Sequence, residues 1–125
     1  MCRLSIKPLL DKNLTPFLKR FDGFIDAEFR FIEIISSSAV KITLAAQDSA
    51  RGFDWITIEL EFNGVNDARV LDNSKLLHID MSNGITLIYT DNQFIFGVGD
   101  YNYSNITDSI CYIKAISLKY LEGEF

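Results

Sequence analysis

In the stretch FDGFIDAEFRFIEI, residues 21–34, three carboxylates fall close together: Asp22, Asp26 and Glu28. Clustered acids suit two kinds of chemistry, holding a hard metal ion or acting as an acid–base pair. A calcium loop gathers roughly six to eight oxygens, with acids at its first, third and fifth positions, a glycine next and a bidentate glutamate at the end. Here Asp26 follows Asp22 by four, Gly23 comes at once, and no glutamate stands at the required distance. The spacing therefore predicts no metal site and no cofactor. As a catalytic pair, Asp26 and Glu28 would share one strand face about 7 Å apart, which suits a two-carboxylate hydrolase. Acids two apart also decorate ordinary solvated strands. The plainer reading has Asp22-Gly23 turning the chain and Asp26 opening a strand. Ala27, Phe29 and Phe31 then pack on one face, with Glu28 and Arg30 on the other.

Other reactive groups are sparse. His78 is the single histidine, which argues against a Cys-His protease, a multi-histidine zinc site and most Ser-His-Asp arrangements. It lies between Leu77 and Ile79, so a strand there would point it away from the apolar face. Cys111 reads as a small buried hydrophobe, and Cys2 as a thiol reactive only through exposure. No nucleophile elbow, P-loop or dinucleotide fingerprint occurs. Gly97-Val98-Gly99-Asp100 follows a strand pattern, but no helix pattern succeeds it to bind an anion.

The elements that must position these residues follow from composition and periodicity. At 125 residues the chain, 1–125, reads as one domain with a core of its own. The net charge of −5 opposes nucleic acid, which needs a Lys/Arg footprint, and opposes acidic membrane surfaces. It permits a basic protein partner reached by electrostatic steering. No apolar run is long enough for a membrane span or a signal peptide, and the two cysteines lie in no paired motif. The expected location is cytoplasmic. Asn102-Tyr103-Ser104 and Asn105-Ile106-Thr107, which match the glycosylation acceptor pattern, are then loop polarity only.

Thr15-Pro16 reads as a helix start, with Thr15 as N-cap, Phe17, Leu18 and Phe21 as a short apolar stripe and Gly23 as terminator. Beyond Pro16 the chain is free of proline and alternates with period two. Val40, Ile42, Leu44 and Ala46 share one face, as do Ile56, Ile58, Leu60 and Phe62. A hairpin joins these runs through Asp48-Ser49-Ala50-Arg51-Gly52. A two-residue loop at Asp91-Asn92 would set Tyr89 opposite Phe94, Leu87 opposite Phe96 and Ile85 opposite Val98. Residues 65–81 suggest one or two short strands around Asp72-Asn73-Ser74. Ser109 to Tyr120 suggests one long strand whose apolar phase changes near Ala115-Ile116, as at a bulge. The expected fold is α+β, mostly β: an antiparallel sheet or sandwich of about seven or eight strands after one short N-terminal helix.

Two large aromatics break the pattern. Phe53 and Trp55 fall in the polar phase of their strand, with Thr57, Glu59 and Glu61. They either cover a second small core, under the N-terminal helix for instance, or anchor an interface among acids. The loop holding Tyr101 and Tyr103 mixes aromatic and amide groups, as contact surfaces do. Phe53, Trp55, Glu59, Glu61, Tyr101 and Tyr103 are the candidate binding residues, and no residue is assigned a catalytic role.

The Asp26-Ala27 strand opening, the Phe62-Asn63-Gly64-Val65 strand end and the alternating final strand containing Ala115 resemble features of small bacterial β-rich domains of unassigned role. Among these are immunity proteins of contact-dependent toxin systems. The resemblance spans most of the chain after residue 21 and carries over no functional residue. It implies a non-catalytic, protein-binding domain that blocks a toxin in the cytoplasm. The alternative reading is a small carboxylate-based hydrolase or ligand-binding domain built on Asp22, Asp26 and Glu28.

Overall fold

The computed structural model describes residues 6–125. Among these, nine strands form two antiparallel sheets, with one short α-helix between the first strand and the second. In chain order the elements are β1 (Lys7–Pro8), α1 (Leu14–Arg20), β2 (Glu28–Ser36), β3 (Ala39–Asp48), β4 (Asp54–Asn63), β5 (Asp67–Arg69), β6 (Ile85–Thr90), β7 (Gln93–Val98), β8 (Tyr112–Ala115) and β9 (Ser117–Glu124). One sheet has the order β1-β9-β4-β3-β2 and the other β5-β8-β7-β6. The expected mostly-β architecture with one short N-terminal helix is what forms. Nine strands replace seven or eight because β1 is a two-residue addition and the last strand divides.

Period two places the core. Val40, Ile42, Leu44 and Ala46 of β3 and Ile56, Ile58, Leu60 and Phe62 of β4 point inward, against Leu87, Phe94, Phe96 and Ile113 of the other sheet. Phe96 lies 5.7 Å from Phe62 and 6.4 Å from Phe29 between ring centroids, which ties the layers together. α1 closes one end of this core with Leu14 and Phe17, and the chain after it adds Phe21 and Phe24. The helix begins two residues earlier than the Thr15 cap predicts. Asn13 occupies the cap position without a side-chain bond, and Pro16 sits in the first turn, where its missing N–H costs nothing.

The hairpin of β6 and β7 has the register its large residues demand: Tyr89 opposite Phe94, Leu87 opposite Phe96 and Ile85 opposite Val98. Asp91 and Asn92 turn it with φ of 54° and 61°, the left-handed pair whose twist matches that of the strands.

Three departures have physical causes. The phase change near Ile116 is a change of sheet rather than a bulge. β8 belongs to the four-stranded sheet and β9 to the five-stranded one. Opposed sheets turn opposite faces to the core, so a chain crossing between them must invert its inward parity. In β2 a true bulge intervenes: Phe29 faces Leu44, but Phe31 already faces Thr43. The extra residue, Arg30, shifts the phase, so Phe29 and Ile32 are buried while Phe31 turns outward. In 65–81 only β5 is a strand. Asn73–His78 is a 3-10 turn that buries Leu76 and leaves Leu77 90% exposed, with His78 in solvent. The Asn73 side chain imitates a strand there: its Oδ1 accepts the Ile32 N–H at 2.8 Å and its Nδ2 donates to the Ile32 carbonyl at 3.0 Å. That blunts part of the β2 edge.

Candidate functional site

The three carboxylates do not act together. Residues 22–26, all but the extended Ile25, form a left-handed segment with φ of 53° at Asp22, 64° at Gly23, 60° at Phe24 and 59° at Asp26. Such angles cost non-glycine residues roughly 1–2 kcal/mol each, so the surroundings must hold them. Phe24 is fully buried and stacked on Phe21 at 5.0 Å. The Asp26 N–H donates to the Met81 carbonyl at 2.8 Å. Gly84 lies so close to the Gly23 carbonyl that a Cβ there would collide with it. This turn lifts Asp22 and Asp26 to the surface, and β2 opens only at Glu28. Asp26 therefore does not open the strand, and it shares no strand face with Glu28.

Asp26 stands on the divide between two depressions. A groove of about 660 Å³ runs between the start of β2 and residues 73–82, with Asp26, Glu28, Arg30, Leu77 and Asp80 on its walls. In it Arg30 donates to the Glu28 carboxylate through Nε at 3.0 Å and Nη2 at 2.8 Å. A cleft of about 380 Å³ lies on the other side, between the end of α1, the left-handed segment and the end of the β3–β4 hairpin. Asp22, Asp26, Lys19, Gln47, Phe53 and Trp55 are among its lining. Two of the three acids thus converge with the two out-of-phase aromatics, and Glu28 stays outside. Among the described residues, no three His, Cys, Asp or Glu side chains gather as a metal ion requires.

Phe53 and Trp55 are not buried under the helix. Phe53 follows Gly52 in a second left-handed turn, φ 67°, and is 63% exposed. Trp55 pairs with Gln47 across β3–β4, is 38% exposed, and lies 5.6 Å from the 60%-exposed Phe125 ring. A second small core does exist, on the far face of the other sheet: Ile95, Ile106 and Tyr112 with Ile88 and Tyr101.

Register places the rest of the outer face of the five-stranded sheet in rows. Beyond Trp55 comes a row of Glu28, Ala45, Thr57 and Gly123, then Phe31, Thr43, Glu59 and Leu121, then Glu33, Lys41, Glu61 and Lys119. Glu59 and Glu61 are therefore one and two rows beyond Thr57 and do not ring Trp55. Lys41 lies 3.4 Å from Glu59 and 3.3 Å from Glu33, and Glu61 accepts from Asn63 Nδ2 at 3.0 Å. The hydrogen bond to Glu33 holds the Lys41 ammonium above its ordinary pKa. The Arg30 guanidinium sits 4.3 Å from the Phe125 ring centroid, and Ala45, next to Glu28 in its row, is fully buried.

Tyr101 and Tyr103 belong to the opposite layer. Tyr101 packs on the second small core, and its N–H donates to the Thr86 hydroxyl at 2.9 Å. The Tyr103 hydroxyl donates to Asp91 at 3.2 Å. The six candidate binding residues thus divide between two faces: Phe53, Trp55, Glu59 and Glu61 on one side, Tyr101 and Tyr103 on the other.

An ion-pair network builds the wall beside the cleft. Arg20, ending α1, donates to both oxygens of the fully buried Asp48 at 2.7 and 2.6 Å, and to Glu122 of β9 at 2.8 and 3.2 Å. Arg51 reaches the same Glu122 at 2.8 Å, and the Ala50 N–H donates to Asp48 at 2.9 Å. The hydrogen bonds from Arg20 pull both carboxyls below their usual range and raise the guanidinium. Elsewhere, burial pushes the Cys111 thiol up to about 12, and Cys2 lies outside the described residues. Sequence reading missed Lys19, Gln47, Arg30 and Phe125 around the exposed aromatics. The outward parity of Gln47 and Trp55 was the available signal. No family model, curated protein or solved structure matches the chain.

Proposed function

We propose that this protein works without catalysis, by binding another protein through the Trp55 end of the outer face of its five-stranded sheet. The observation that carries this reading is the run of exposed aromatics, Phe53, Trp55 and Phe125, at one end of the outer face of that sheet. Exposed aromatics gathered in one patch are typical of interface anchors. The net charge of −5 favours a basic partner. The resemblance to immunity proteins makes a toxin met in the cytoplasm the first partner to try. The test is capture on the immobilised chain, followed by surface plasmon resonance with the purified partner. Trp55→Ala should raise the dissociation rate about 30-fold, the equivalent of about 2 kcal/mol. Glu59→Gln and Glu61→Gln should act weakly and only at low salt, since local partners already engage both. Absence of a stoichiometric partner, or equal binding by Trp55→Ala, refutes the proposal.

A second reading draws on the convergence of Asp22 and Asp26 in one cleft: a small-ligand site or a two-carboxylate hydrolase. Turnover of a small substrate, abolished by Asp26→Asn with the fold intact, would establish it over the first.

A further inference from the structure

We infer that the cleft between the end of α1, the left-handed segment and the β3–β4 hairpin end receives an arginine side chain of the partner protein. This inference rests on the protein-binding reading and names what the partner presents.

The chain itself shows how it binds guanidinium groups. Arg30 lies 4.3 Å from the centroid of the Phe125 ring while donating twice to Glu28. Arg20 lies 4.9 Å from the Phe21 ring while donating twice to Asp48. Each pairs an aromatic face with a carboxylate, the two features a planar five-donor cation uses at once. The cleft assembles the same parts. Trp55 and Phe53 supply exposed rings, and Asp22 and Asp26 supply carboxylates. Among the described residues, none makes a hydrogen bond or ion pair to either of these carboxylates; exposed acids such as Asp54 and Asp100 share that state, and what sets Asp22 and Asp26 apart is the rings beside them.

The cations already at the cleft do not fill the place. The Arg20 donors are committed to Asp48 and Glu122. Lys19 is an exposed single charge against two carboxylates. An anionic ligand would meet Asp22 and Asp26, so a cation fits better. A compact ammonium engages a ring and an acid only loosely in this chain, as Lys114 does at 5.7 Å from the Tyr103 ring and 4.0 Å from Asp67, whereas a guanidinium fork can stack and donate twice at once. The cleft is also continuous with the proposed interface, since Trp55 lines the one and anchors the other. The aspartates need little rearrangement to bind, because Phe24, Met81 and Gly84 already hold their turn.

Trp55 is the single tryptophan of the chain, so its emission reports on the cleft alone. A capped tri-arginine peptide titrated into the full chain should change that emission saturably and reversibly with salt. Capped tri-lysine should bind about tenfold more weakly, and tri-citrulline, the neutral isostere, should not bind. The Asp22→Asn/Asp26→Asn double variant should lose the response while its circular dichroism and melting temperature match wild type, because asparagine tolerates both left-handed positions. Amide NMR shifts of residues 22, 26 and 47 supply a second readout. No saturable change by either readout overturns the inference, as does an undiminished response in the double variant. Binding of tri-citrulline or of maltotriose as tight as that of tri-arginine overturns it too, in favour of a neutral-ligand site. If the double variant binds a captured partner as wild type does while Trp55→Ala does not, the arginine receptor fails and the protein-binding reading stands.

Discussion

Replacing Asp48 by asparagine removes one charge at the centre of the network that joins α1, the β3–β4 hairpin and β9. The Asp48 carboxylate is fully buried and takes two donors from Arg20, at 2.7 and 2.6 Å, and the Ala50 N–H at 2.9 Å. Asparagine keeps Oδ1 for Nε and Ala50, but its Nδ2 would aim a donor at the Arg20 Nη2 donor. One charge-assisted bond is lost, worth roughly 1.5–3 kcal/mol. Arg20 retains Glu122 at 2.8 and 3.2 Å and is itself partly exposed, so the loss stays below the roughly 3–5 kcal/mol of a fully orphaned buried charge. We expect a destabilisation of about 2–3 kcal/mol in urea unfolding at neutral pH, a fall of about 1 M or more in midpoint. The pH dependence checks the cause. Asp48 and Glu122 have folded pKa values below their ordinary ones. Their contribution is therefore present above the unfolded carboxyl range, about 4, and is lost as pH falls through the depressed folded values. The gap between wild type and variant should close below about pH 4. A neutral-pH loss under about 1 kcal/mol, or a gap independent of pH, would refute the network as a staple.

Two further outcomes follow from the geometry. Gly84→Ala, at φ 70° and against the Gly23 carbonyl, should cost about 3 kcal/mol or more, whereas Gly23→Ala, at φ 64° with open space beside it, should cost only about 1 kcal/mol; equal losses in urea unfolding would show that the contact does not hold the left-handed segment. In a Cys2→Ala background the Cys111 thiol, fully buried and pushed up to about 12, should react with an aromatic disulfide reagent only at the rate of unfolding, and fast modification under native conditions would contradict its burial.

How much of this was legible in the sequence depends on the range of the interactions involved. Strands β3 and β4 follow from alternation, because every second residue of a half-buried strand must be apolar. The Asp91-Asn92 turn follows from the match of large residues on its two arms. What escaped depends on neighbours distant in sequence. Ile116 reads locally like a bulge, and only the existence of a second sheet makes it a crossing. Arg30 becomes a bulge, turning Phe31 outward, through pairing with β3. Leu76 and Leu77 are the same residue type side by side, and the turn at Asn73–His78 alone decides which is buried. The candidate site divides in the same way. Alternation marks Phe53 and Trp55 as out of phase, and composition marks the acids near residue 22. Their meeting in one cleft, the absence of Glu28 from it and the separation of Tyr101 and Tyr103 onto the other layer come from the packing of α1, the left-handed turn and the hairpin end. Those contacts join segments some thirty residues apart, such as Arg20 and Asp48, and no local pattern encodes them.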